Sequence, residues 1–171
     1  MAKTIQLTQD QVAIVDDDDF DWLSEFTWYA DWVPCIQGFY ASRQVRTGLE
    51  RPKQRQFRMH QAIWLRHNGP VPKGVTIDHA DRVTLNDRLS NLRLATRSQQ
   101  RLNQGLSSRN TSGYRGVCWY PKYGKWVARI RVDGKNIHLG YFTDLIEGAH
   151  AYDAAARIHL DLDFAQLNFP T

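Results

Sequence analysis

Val75-Thr76-Ile77-Asp78-His79-Ala80-Asp81-Arg82-Val83-Thr84-Leu85-Asn86-Asp87-Arg88-Leu89-Ser90-Asn91-Leu92-Arg93-Leu94-Ala95-Thr96 is the stretch whose reading decides the fold. An apolar run, Val75 to Ile77, reads as a strand that delivers Asp78 and His79. A polar loop follows, then a second apolar run around Asn91-Leu92-Arg93-Leu94-Ala95, then a polar segment to Asn103 that reads as a helix. Asp is a hard oxygen donor suited to Mg²⁺ or Mn²⁺. His is the side chain best poised to take a proton near neutral pH. Neighbours on a strand point to opposite faces, so the two must work from a strand end or turn, where that alternation breaks. Asn91 suits the role of orienter, accepting the second ring proton of the imidazole. Metal ligand, base and orienter together describe hydrolysis of a phosphodiester by an activated water.

Asp-His pairs are common, and a random one is usually a surface salt bridge or a strand-end cap. The complete order of strand, Asp78-His79, loop, Asn91-Leu92-Arg93 and helix is far less common. It resembles the HNH nuclease motif of phage and intron homing endonucleases, a ββα-metal fold of two strands and a helix around one divalent ion. The resemblance implies Asp78 as a metal ligand, His79 as the general base and Asn91 as the residue that fixes His79. The third family position, usually His or Asn on the helix, falls on Gln100, whose extra methylene displaces its carbonyl oxygen. Asn103, one helical turn on, is a possible substitute ligand. The implied cofactor is Mg²⁺ or Mn²⁺. Two departures stand in the loop, where Arg82-Val83 replaces the usual Gly and Asn, and Asn86-Asp87 reverses the family's Asp-Asn. A positive-φ turn there would strain Val83.

At 171 residues the chain has room for one ordinary domain or two small ones. Hydrophobic content of 42% and charged content of 23% are those of a globular protein rather than a disordered one. Net charge is +4, but its distribution says more. Residues 1–26 hold seven acids (Asp10, Asp16, Asp17, Asp18, Asp19, Asp21, Glu25) against Lys3. Residues 97–135 hold nine bases (Arg97, Arg101, Arg109, Arg115, Lys122, Lys125, Arg129, Arg131, Lys135) against Asp133. A polyanionic partner for the second half explains that asymmetry, as does a merely solvated basic face. Cys35 and Cys118 are too few and too far apart for a zinc site, and nothing argues for a disulfide. With no secretory signal and no membrane-length apolar run, a cytoplasmic protein of a phage or its bacterial host is expected.

Residues 3–8 alternate as a strand, and 11–15 offer a second short run that the acids at 16–19 end. Asp18 or Asp19 caps a short helix, Phe20 to Phe26, a reading that with solvation outweighs a metal site in the acid run. Thr27 to Ala30 and Phe39 to Arg43 read as strands, Arg46 to Gln54 as a loop. Phe57 to His60 reads as a strand and Gln61 to His67 as a helix, stopped by Asn68-Gly69-Pro70. His60 has a catalytic and a structural reading, and one His between apolar neighbours is more often structural.

Gly105 to Ser112 is rich in small polar residues and reads as a linker. Beyond it, Tyr114 to Tyr120 and Trp126 to Val132 read as strands. Trp126, Ala128, Ile130 and Val132 alternate inward against Val127, Arg129 and Arg131 outward. Asp133-Gly134 is a type I′ hairpin signal. Ile137, Leu139 and Tyr141 form the inward face of a third strand, with Asn136 and His138 outward. Asp144 to Glu147 opens a helix running to about His159 that covers the inward face. The uncovered face, carrying Arg115, Arg129, Arg131 and His138, suits the ~12 Å major groove.

Tyr114-Arg115-Gly116-Val117, Leu139-Gly140-Tyr141-Phe142, Ala151-Tyr152-Asp153-Ala154-Ala155 and Leu167-Asn168-Phe169-Pro170 closely resemble the landmarks of the AP2/ERF DNA-binding domain, over about Gly113 to Pro170. The resemblance implies double-stranded DNA as partner and puts Arg115 and Arg131 on contacting positions; Tyr120, Lys125, Arg129 and His138 are the further candidate DNA contacts. Cys118, Arg129 and His138 differ from the plant pattern, so no target sequence carries over. AP2 domains also occur fused to HNH motifs in homing endonucleases.

An α+β protein is therefore expected: a β-rich lead-in at 1–57, an HNH module at 58–104, a linker at 105–112 and an AP2-like three-stranded sheet on one helix at 113–171. Its expected function is metal-dependent, site-directed DNA cleavage, one strand at a time, by a monomer or weak dimer without membrane association. The rival is a catalytically decayed HNH scaffold acting as a nucleic-acid-binding regulator or assembly component.

Overall fold

The computed structural model describes residues 1–46, 48 and 54–170. They form an α+β fold, as expected, in two units: Met1–Arg97 and Ser98–Thr171. Among the described residues no helix is long and apolar enough to cross a membrane.

In the first unit, β1 (Ala2–Gln6) and β2 (Val12–Asp16) form a hairpin. Next come α1 (Asp17–Ser24) and the antiparallel sheet of β3 (Tyr29–Val33), β4 (Gly38–Arg46) and β5 (Gln54–Arg58). The loop expected over Arg46–Gln54 lies at 47 and 49–53 outside the described residues, while Arg46 and Gln54 pair across the sheet. α2 (Met59–Asn68) takes up His60, which was expected at a strand end, so the helix begins two residues early. β6 (Thr76–His79) pairs with β7 (Leu92–Ala95).

One core serves the whole unit. Ile5, Ala13, Val15, Leu23, Trp28 and Ala41 of the lead-in pack with Met59, Ile63 and Leu92 of the β6–β7 module. Lead-in and module therefore share a single unit rather than dividing near residue 57. The acidic run does not cap the helix from Asp18 or Asp19 as expected: α1 begins at Asp17, ahead of Phe20, and its N-cap, Asp16, makes no side-chain capping hydrogen bond. Asp16 accepts from Arg88 Nε at 3.0 Å and from the Leu89 amide at 2.8 Å. Asp19, 1% exposed, accepts from Trp22 Nε1 and meets His67 Nε2, both at 2.9 Å. Hydrogen bonding to these partners is what makes a buried site tolerate such a carboxylate.

The second unit begins within α3 (Arg97–Asn103), upstream of the linker expected at 105–112. Its sheet has the order β10 (Lys135–Phe142), β9 (Lys125–Val132), β8 (Val117–Tyr120). Asp133 and Gly134 both adopt positive φ, 48° and 81°, as a type I′ hairpin requires. α4 (Leu145–His159) is capped by the Asp144 side chain, which accepts from the Ile146 and Glu147 amides. Ala149, Tyr152 and Ala156 of α4 enter the cores built on Val117, Ala128 and Ile130. Asp153, fully buried, accepts from the Asn168 and Phe169 amides at 2.9 and 2.8 Å and ties the C-terminal segment to the helix.

One expectation about the faces of this sheet fails. The β9–β10 register shifts between His138 and Gly140. A bulge resets the alternation, so Phe142 turns to the core and Tyr141 turns outward, 41% exposed. Val127 does lie on the outward face but has no exposure, because it sits on the central strand between Cys118 and Tyr141.

Candidate functional site

His79 is the last residue of β6, paired with Leu92, so its side chain projects where the strand gives way to the loop. That loop is closed by its own backbone. The Ala80 amide donates to the Asn91 carbonyl at 2.9 Å, and the Arg82 amide to the His79 carbonyl at 3.1 Å. Positive φ falls on Arg82, at 67°, rather than on Val83, so the strain expected at a β-branched residue does not arise.

Asn91 does not orient the imidazole, as was expected of it. Its Nδ2 donates to Asp81 Oδ1 at 2.9 Å and to the Asn86 carbonyl at 2.7 Å, and its Oδ1 accepts from the Asp81 amide at 3.0 Å. All its hydrogen bonds thus brace the loop. Asp81, so engaged, is partly buried, which alone would raise its pKa. The hydrogen bonds from Asn86, Val83 and Asn91 overcome this and hold it below the usual carboxylate value.

The partner of His79 is Asp87, whose Oδ1 lies 2.9 Å from His79 Nε2. His79 is 5% exposed and Asp87 0%. The lead-in is what places this carboxylate. Ile14 of β2 donates to the Leu85 carbonyl at 2.7 Å and accepts from the Asp87 amide at 2.8 Å, a one-residue parallel bridge. Burial pushes the Asp87 carboxyl up, and the contact with His79 draws it back.

A third group completes the cluster. His60, in the first turn of α2, puts Nδ1 3.9 Å from Asp87 Oδ1, and its ring centroid is 5.0 Å from that of His79. Burial, then the neighbouring His79 and Arg58, hold the His60 pKa well below the usual value, so the ring is neutral at pH 7. Tyr40 packs its ring 5.3 Å from His60 and 6.0 Å from His79, with the Arg58 guanidinium 4.1 Å above it.

Asp78 faces Arg93 across the β6–β7 ladder, with Arg93 Nε 3.1 Å from its Oδ2. Such directly opposed pairs are the unit of cross-strand interaction. Gln100 and Asn103 lie on α3, in the unit that does not contain His79. Asn103 is 3% exposed, and its Oδ1 accepts from Gln166 Nε2 at 3.2 Å.

The sequence reading passed over Asp87 and His60 as functional residues. The available signal was the reversed Asn86-Asp87 pair, which puts a carboxylate eight residues after His79.

On the second unit, the outward sheet face carries exposed Arg129, Arg131 and His138 beside Lys125. Tyr120, Tyr123, Tyr141 and His138 form a ring cluster on it, with centroids 4.7 to 5.9 Å apart between neighbours. Arg115 is not on that face as a strand residue, as was expected. It lies in the turn before β8, its amide bonded to Asn168 Oδ1 and its guanidinium donating to the Gln104 carbonyl.

A buried His–carboxylate pair at the end of a two-stranded antiparallel hairpin marks the site, and the chain belongs to the HNH endonuclease family. That family matches residues 57–102. Protein 3.8 of Escherichia phage T7 is 40% identical over 90 residues, which are 53% of this chain and 74% of that protein. The AP2-like ethylene-responsive transcription factor CRL5 of Oryza sativa subsp. japonica is 51% identical over 51 residues. Those residues are 29% of this chain but only 8% of that relative. The similarly named factor AIL5 of Arabidopsis thaliana is 33% identical over 121 residues, 67% of this chain and 21% of that protein.

HNH membership implies a divalent metal ion, and the residues present fit one. Asp78 offers a hard carboxylate at the strand end.

Proposed function

We propose that the chain is a metal-dependent endonuclease of the homing type that nicks double-stranded DNA and is targeted by its AP2-like unit. The single observation that carries this reading is the buried 2.9 Å contact between His79 and Asp87. Asp87 accepts the Nε2 proton, which fixes the ring tautomer with its lone pair on Nδ1. Water gives a proton to that nitrogen as its oxygen attacks phosphorus. The P–O ester bond breaks, and the departing sugar oxygen takes a proton from solvent. Asp78 would hold the divalent ion, whose Lewis acidity stabilises charge building on the phosphate. Asn91 keeps the loop closed so that His79 and Asp78 stay in register. Arg129, Arg131, Lys125 and His138 present donors to base edges and phosphates, and Tyr120 an aromatic edge.

Supercoiled plasmid incubated with the protein and Mg²⁺ or Mn²⁺ tests this. Open circles are expected. Linear product at the earliest times would overturn nicking, and intact plasmid despite DNA binding would overturn the enzyme.

One observation favours the second reading, a non-enzymatic DNA-binding protein on an HNH scaffold. The Asp78 carboxylate is held by Arg93, and the Asn103 amide oxygen accepts from Gln166. Under that reading Gln100→Asn leaves the protein inactive at every Mg²⁺ and Mn²⁺ concentration. Under the first it raises nicking or lowers the metal requirement, because a metal site depends on ligand distances to about 0.2 Å.

A further inference from the structure

We propose that His60, His79 and Asp87 form a binding site for one borderline transition-metal ion, Zn²⁺ or Co²⁺, separate from the Mg²⁺ position at Asp78, and that filling it switches His79 off. The three side chains come from α2, the end of β6 and the loop before β7, and their donor atoms all lie within 4.8 Å of one another. Ligands about 2.0–2.2 Å from a tetrahedral metal stand roughly 3.3–3.6 Å apart. The observed 2.9 Å from His79 Nε2 to Asp87 Oδ1 and 3.9 Å from His60 Nδ1 to the same oxygen bracket that spacing.

Two features point to an ion rather than to ordinary packing. His60 Nδ1 and Asp87 Oδ2 are buried and have no hydrogen-bond partner among the described residues, and a buried polar atom left unsatisfied is destabilising. A cation that accepts both lone pairs removes that penalty. Two imidazoles with one carboxylate also suit Zn²⁺ or Co²⁺, whereas Mg²⁺ takes oxygen donors. Tyr40 closes one side of the cluster with its ring, which limits the room left for water at a further coordination position.

The inhibitory half rests on the proposed nuclease reading. A metal on His79 Nε2 needs the lone pair there, so the ring proton moves from Nε2 to Nδ1. That is the nitrogen from which His79 would take the proton of water. The ion thus occupies the contact that Asp87 otherwise makes and protonates the basic site without any change in net ring charge.

The test uses the full chain stripped with a chelator and titrated with Co²⁺. Expected are one Co²⁺ per chain by its visible absorption, and paramagnetic shifts of the His60 and His79 ring protons in the NMR spectrum of the unmutated protein. Asp87→Asn and His60→Gln, each checked for an unchanged fold by circular dichroism, should weaken Co²⁺ by more than about a hundredfold. That exceeds the 10–100-fold typical of groups that only support a ligand. Asp78→Ala should leave the Co²⁺ signal in place. No Co²⁺ spectrum, or shifted resonances belonging instead to His67, His138, His150 or His159, would overturn the site. Zn²⁺ should then suppress nicking in excess Mg²⁺. Full nicking with the triad shown to be occupied would overturn the inhibition. A wild-type protein that never nicks but shows the Co²⁺ signal at the triad would defeat the nuclease reading and leave the site standing.

Discussion

His79 Nε2 and Asp87 Oδ1 stand 2.9 Å apart, one side chain from a strand end and the other from a loop pinned to the N-terminal hairpin through Ile14. The hairpin thus has a defined task. It positions the carboxylate that meets the His79 ring.

Replacing His79 by Ala should lower the nicking rate by about 10²–10⁴, the usual contribution of a positioned base. DNA affinity, measured by anisotropy on the same substrate, should hardly change. Asp87→Asn should lower the rate in the same direction while preserving the shape of the site. Undiminished nicking by His79→Ala would place the chemistry elsewhere.

Arg131 and Arg115 should separate in DNA binding. Arg131→Ala, from the exposed sheet face, should cost about 1–3 kcal/mol at the preferred site and reduce the salt dependence of binding. Arg115→Ala removes a guanidinium already bonded to the Gln104 carbonyl. Its main effect should be a lower melting temperature rather than altered site preference. Competition with mismatched duplexes distinguishes the two.

Gly116→Ala should unfold the second unit selectively. Gly116 has φ +74°, and an added Cβ would fall within the Tyr152 ring and 2.6 Å from the Arg129 carbonyl. Left-handed strain and overpacking together should cost about 3 kcal/mol or more. Hydrogen exchange should show amides of 98–170 losing protection while those of the β6–β7 module keep theirs.

Tyr152 should make the second unit sensitive to alkali. Burial raises its phenol above the usual 10.0, with Arg115 opposing and Asp153 adding to the shift. The folded state then holds the proton more tightly than the unfolded chain. Stability that is complete below pH 10 is therefore lost as pH rises through the folded value. Tyr152→Phe should flatten the melting temperature against pH above 10, and an unchanged slope would assign the sensitivity to other groups.

Local chemistry sufficed for much of this molecule. Apolar runs marked β6 and β7, period-two alternation marked β9, Asp133-Gly134 set the hairpin, and Asp144 marked the start of α4, because each depends on residues within a few positions of one another. His79 at a strand end was legible for the same reason. What tertiary structure alone decided involves residues distant in sequence or a change of phase along a strand. Asp87 meets His79 only because Ile14, some seventy residues away, holds the loop. His60 joins them only because α2 packs against that loop in a shared core. Tyr141 faces outward because one bulged residue reverses every side chain after it, a shift that no count of apolar positions registers.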